Sequence, residues 1–190
     1  MNRKAATPIL LLSESAQATM IAAAAKAHPD ETGGILIGVH TEGGQPWVTS
    51  AIEIATDDRG HHHYKIPSGT TQPRVHAARR TDPRLGYLGD WHSHPADIGP
   101  SPTDLATLAV YSIKHPRTPN PTLIVVRNTP VGRALDVRRI VTVAPRSCEL
   151  HLTGDLPESP HPTHAQGDQA QRSQNDQQPD AERERRPHRR

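Results

Sequence analysis

The first apolar run, Ile9-Leu10-Leu11-Leu12, is short enough to read as a strand, and Ser13 or Ser15 behind it can cap a helix start. Met20 and the Ala22 to Ala25 run carry that helix to about Ala27. His28-Pro29 should end it, because proline disfavours helical backbone in the residue before it. Gly33-Gly34 then opens a buried strand, Ile35-Leu36-Ile37-Gly38-Val39, with Glu31 at its entrance. Gly43-Gly44 makes a turn, and Trp47 to Ile54 reads as the partner strand of a hairpin.

From Asp57 to Arg84 the chain is polar and rich in His, Arg and Thr, which predicts only a short strand around Tyr64 and a helix around Val75 to Arg79. Tyr87 to His92 reads as a strand, Pro95 to Pro100 as a loop, and Ser101-Pro102 as the start of a helix. Leu105, Leu108, Ala109 and Ile113 fall on one face of that helix. Pro116, Pro119 and Pro121 break the chain before a buried strand at Leu123 to Val126. Leu135, Val137, Val141 and Val143 alternate as a half-buried strand, with Arg139 interrupting them. No internal repeat is present. The pattern predicts a single α/β domain in which a curved mixed sheet is flanked by helices near residues 14–27 and 102–115.

Beyond Pro157 the residues are mostly Pro, Gln, His, Asp and Arg, ending in the basic Arg183, Arg185, Arg186, Arg189 and Arg190. Such a segment cannot bury enough apolar surface to offset its ordering entropy. The expected organisation is therefore a folded domain over residues 1–153 and a disordered, Arg-rich tail over 154–190, most simply a solvated one.

Composition adds limits. The apolar share of 33% hides an uneven spread, since both Trp and all three Tyr lie between Trp47 and Tyr111. A net charge of +2 is too weak to argue for nucleic acid as the main partner. A lone cysteine, Cys148, excludes an intrachain disulfide and any multi-cysteine zinc site, and fits a reducing compartment. Nothing near it in sequence would activate a thiol, so it reads as a small buried or edge residue. Arg3 and Lys4 before Pro8 to Leu12, with Ala16-Gln17-Ala18 behind, faintly resemble a secretion signal. The apolar run is too short and Glu14 follows at once, so a strand leading into a helix is the better account. No stretch could span a bilayer. A cytoplasmic protein without a membrane partner is expected.

The chemistry sits in Asp90-Trp91-His92-Ser93-His94-Pro95 and Ser101-Pro102-Thr103-Asp104. Residues two apart on a strand face the same side, so His92 and His94 can aim at one point. Asp104, in the first turn of the next helix, can fold back across the loop. Two imidazoles and a carboxylate suit Zn²⁺ and leave a fourth position for water. An ordinary helix start has the same composition, with Ser as N-cap, Pro at the first position and an acid in the first turn. One residue can both cap a helix and present a ligand.

These residues resemble the JAMM (MPN+) metalloproteases, bacterial branch, over residues 7 to 150. The likeness rests on His-x-His-Pro, on Ser-x-x-Asp, and on the upstream Glu31-Thr32-Gly33-Gly34-Ile35-Leu36-Ile37-Gly38. The loop from Pro95 to Pro100 is one residue shorter than the family usually carries, a variation loops accommodate. The resemblance implies an MPN-like domain in which His92, His94 and Asp104 bind Zn²⁺. It also implies Glu31 as general base and acid, and Ser101 as hydrogen-bond donor to the oxyanion. The implied activity is an isopeptidase or peptidase acting after the C-terminal Gly-Gly of a ubiquitin-like or sulfur-carrier protein, with an activating enzyme as an associated partner. The alternatives are a zinc hydrolase of small amides and a non-catalytic MPN scaffold. His61-His62-His63 is read as a polar strand or surface loop near the site, in preference to a second metal position.

Overall fold

The computed structural model describes residues 6–118, 120–142 and 144–157. Arg3, Lys4, Pro119, Val143 and the part of the expected tail from 158 to 190 lie outside the described residues. In chain order the elements are β1 (Ile9–Ser13), α1 (Glu14–Ala27), β2 (Gly33–His40), β3 (Pro46–Glu53), β4 (Arg59–Gly60) and β5 (His63–Tyr64). They continue with α2 (Thr71–Thr81), β6 (Gly86–His94), α3 (Pro102–Lys114), β7 (Thr122–Thr129), β8 (Gly132–Val141), β9 (Ala144–Ser147) and β10 (Glu149–Thr153). Eight strands form one mixed, curved sheet in the order β10-β1-β3-β2-β6-β7-β8-β9, while β4 and β5 pair separately.

Alternation along the strands sends apolar side chains to both faces. Leu36, Leu88, Trp91, Ile124 and Val126 meet Ala16, Met20 and Ala23 of α1 on one face. Ile35 and Ile37 meet Val75 of α2 on the other, and Leu123, Val125 and Ile140 meet Leu108 of α3. Ser13 caps α1 by accepting a hydrogen bond from the Ala16 amide at 3.2 Å. The sheet is therefore covered by α1 on one side and by α2 and α3 on the other.

Three expectations change. The helix expected around Val75 extends over all of Thr71–Thr81. Ile113, placed by periodicity on the packed face of α3, is 77% exposed, because α3 meets the sheet through Leu108 and Ala109. In β8 the alternation breaks after Val137: Ile140 is fully buried against α3, and Val141 lies exposed at the strand end.

The feature that sets up the site is a bulge between β2 and β6. Leu36 pairs with Gly89 and Ile37 with Tyr87, so Leu88 has no counterpart across the ladder. The extra residue shifts the side-chain phase of β6. Leu88 and Trp91, three apart, consequently share the α1 core, which sends His92 and His94 to the opposite face. Gly89 makes this possible: its φ is +151°, and a Cβ there would lie 1.9 Å from the Thr122 carbonyl oxygen.

Candidate metal centre

The two histidines, alternate residues at the end of β6, converge with Nε2 atoms 3.1 Å apart. Asp104 reaches them from the first turn of α3, its Oδ2 lying 3.6 Å from His92 Nε2 and 3.8 Å from His94 Nε2. One ligand atom from each of the three residues lies within 4.8 Å of the others. The expected trio thus comes together. Each piece is held by backbone chemistry close to it.

Asp104 is held by a capping box, in which its Oδ2 accepts from the Ser101 amide at 2.7 Å and Ser101 Oγ accepts from the Asp104 amide at 3.1 Å. One carboxylate therefore completes the cap and faces both imidazoles. The intervening loop is tied to the end of β7, since Arg127 pairs with Asp97 at 2.9 Å and the Asn128 side chain donates to the Pro95 carbonyl. His94 Nδ1 lies 2.9 Å from the Ile98 carbonyl, a partner that can only accept. That contact places the ring proton on Nδ1 and leaves the Nε2 lone pair facing the cluster.

Glu31 approaches from the segment before β2, with Oε1 3.9 Å from His94 Nε2. Its amide donates to the Gly60 carbonyl at 2.9 Å. Thr32 and Ser93 lock this segment to β6: Ser93 N donates to Thr32 O at 2.7 Å, and Thr32 N donates to Ser93 Oγ at 3.0 Å. Gly33 lets the strands close beside His92, since a Cβ there would stand 2.4 Å from the Trp91 carbonyl and 2.9 Å from His92 Cβ. The Thr32–Ser93 clamp was not foreseen; the Ser between two site histidines was its only trace in the sequence. Removing the Ser93 hydroxyl leaves the buried Thr32 amide without a partner. Ser93→Ala is therefore expected to lower stability by about 1–3 kcal/mol in denaturant unfolding, whereas Ser93→Thr should retain most of it.

Electrostatics follow from burial. Desolvation pushes the Glu31 carboxyl up to about 7, with His92 pulling it down and Asp104 pushing it further up. For Asp104, burial alone would raise the carboxyl, but the hydrogen bond and charge of His92 and the contacts with Ser101 outweigh it and hold the group well below the usual carboxylate range. Burial lowers His94, against the opposing pull of the Ile98 carbonyl. The centre thus offers one carboxylate that stays ionised, one that titrates near neutrality, and a neutral imidazole with its lone pair turned inward. A divalent cation suits this donor set better than solvent does.

Ser101 Oγ accepts from the Asp104 amide, and its hydroxyl also helps to hold the Asp104 carboxylate ionised. All five expected residues line one open cleft of about 390 Å³. His61, His62, His63 and Tyr64 form another part of its wall. His61 and His63 lie 3.4 and 3.6 Å from Asp30 and Asp58, and neither belongs to the metal cluster. Tyr64 is anchored through its hydroxyl to the Ile54 carbonyl at 2.7 Å. Cys148 is remote from this chemistry, and burial pushes its thiol up to about 11 against the pull of Arg139 and Arg138.

The family model described as prokaryotic homologs of the JAB domain matches residues 13–143. Among solved structures, a protein from Desulfitobacterium hafniense determined in solution is 22% identical, covers 78% of this chain and 95% of its own, and superposes with a TM-score of 0.56. A JAB1/MPN domain protein from Archaeoglobus fulgidus is 19% identical over 76% of this chain and 98% of its own, with a TM-score of 0.47. No curated protein matches the sequence. Among the described residues, no helix is long and apolar enough to cross a membrane.

Proposed function

The chain belongs to the prokaryotic JAB domain family, and from that premise we propose that it is a zinc-dependent peptidase or isopeptidase. Its proposed substrate is a ubiquitin-like or sulfur-carrier protein, cut after the C-terminal Gly-Gly. The observation that carries the reading is the convergence of His92, His94 and Asp104 with the buried Glu31 beside them. A cluster that only binds metal needs no buried carboxylate beside it, whereas a hydrolase needs a base there.

His92, His94 and Asp104 would hold the zinc ion. When bound, zinc acidifies a coordinated water and polarises the scissile carbonyl. Glu31, buried beside His94, takes the proton of the attacking water and delivers it to the departing amine. Ser101, fixed as the cap of α3, would turn its hydroxyl from the Asp104 carboxylate toward the developing oxyanion. The wall from His61 to Tyr64 borders the open cleft in which an extended substrate tail would lie.

Zinc-loaded full-length protein incubated with a ubiquitin-like protein whose Gly-Gly terminus is fused to a reporter should release the reporter. The same reporter behind Ala-Ala should be cut far more slowly. Equal turnover of small amides and of both fusions would favour general amide hydrolysis and end the carrier-protein reading.

A further inference from the structure

A second cleft, of about 720 Å³, opens where α2, the beginning of β6 and the end of α3 meet. Cationic or potentially cationic side chains dominate its polar lining: Arg79, Arg84, Lys114, Arg117, His40 and His115. A smaller adjoining cavity of about 290 Å³ shares His40, Tyr87, Leu88, Arg117 and Thr118 with it and adds Arg139. Among the described residues, no Asp or Glu lines either space. The chain as a whole carries 22 Lys and Arg against 20 Asp and Glu, so this acid-free lining is a local segregation of charge and not a reflection of composition.

Among the described residues, most of these cations lack an ion-pair partner. Arg84 is committed to Asp82 through a 2.6 Å ion pair. Arg79 donates from Nε to the Leu85 carbonyl, and among the described residues its terminal nitrogens have no hydrogen-bond partner. Among the described residues no ion pair engages Arg79, Lys114, Arg117 or Arg139. Arg139 is half-buried, with a single hydrogen bond from Nε to the Asn120 carbonyl at 3.2 Å. A half-buried guanidinium without a carboxylate is unfavourable unless an anion completes it. Asp90 of β6 lines neither space and is hydrogen-bonded to Tyr87.

We propose that this cleft is a binding site for a small molecule carrying two or more phosphate groups, held by Arg79, Lys114, Arg117 and Arg139. Its volume falls in the range that encloses small ligands. Although Arg79, Lys114 and Arg117 are exposed, they border the same concavity as the half-buried Arg139 and do not line up as the stripe that tracks a nucleic-acid backbone. The site is separate from the metal centre, since Tyr87 and His92 stand five residues apart along β6, roughly 15 Å.

Calorimetric titration of the full-length protein with inorganic pyrophosphate and with ATP tests this. Both should bind, and Lys114→Ala with Arg117→Ala, or Arg139→Gln, should weaken binding roughly tenfold or more. Lys26→Ala, an exposed cation at the end of α1 on the other side of the sheet, should leave affinity unchanged, and so should His94→Ala, which removes capture by a bound metal. Lys114 and Arg117 are exposed, so their loss should not disturb folding. The proposal fails if neither phosphate compound binds, if the cleft variants bind as well as wild type, or if His94→Ala abolishes binding. It also fails if an acidic peptide or a DNA duplex binds more tightly through the same residues.

Discussion

Glu31→Gln is expected to slow cleavage of a Gly-Gly-tailed fusion by roughly 10²–10⁴-fold, while the protein stays folded and retains about one zinc per chain. The amide keeps the size of the carboxyl and its place beside His94, so packing and the ligand trio should be little disturbed. What it loses is the capacity to accept a proton from water and return it to the leaving amine. Turnover, zinc content and the melting curve measured on one preparation separate these effects. A variant with normal zinc and normal turnover would mean that Glu31 carries no proton, and the hydrolase reading would lose its base. Absence of turnover in wild type and variant alike, with zinc bound in both, would point to a scaffold.

The double substitution His92→Ala with His94→Ala should bring zinc from about one equivalent to nearly none and abolish cleavage. A ligand bound only by the native state stabilises it by about 2.7 kcal/mol at a hundred times its Kd, so the wild type should melt lower after chelation. The variant should not respond to chelator at all. Substituting both histidines is a cleaner test than substituting Asp104, because loss of that carboxylate also dismantles the capping box of α3 and adds about 1 kcal/mol of unrelated destabilisation. Retention of stoichiometric zinc by the double variant would place the metal elsewhere.

The convergence of His92, His94 and Asp104 was legible because the three lie within thirteen positions of one another, where strand alternation and helix-start chemistry are both local rules. Glu31 was reached through resemblance, since nothing local distinguishes it from a solvated acid; its burial at 6% exposure comes from tertiary packing. The bulge at Leu88 escaped, although an isolated glycine inside a strand, Gly89, was its available signal. Strands β9 and β10 escaped for another reason: Ala-Pro-Arg-Ser and Glu-Leu-His-Leu-Thr are short and polar, and become strands by pairing with β8 and β1. Ile113 shows the converse error, where helical periodicity promised a contact that the sheet does not reach far enough to make. The cationic cleft was invisible in the sequence because His40, Arg79, Arg117 and Arg139 are far apart along the chain and each alone looks like surface.

The parallel pairing of β10 with β1 also constrains how the molecule is made. All five residues of β1 pair with β10, from Ile9 with Glu149 to Ser13 with Thr153, whereas β3 supplies only Leu11–Trp47 and Leu12–Val48. The opening strand therefore lacks one neighbour until nearly the whole domain has been synthesised, and an edge rich in leucine stays uncovered on the nascent chain. Pairing across such a sequence separation is slow to form, so the seam between β1 and β10 is expected to close late in folding.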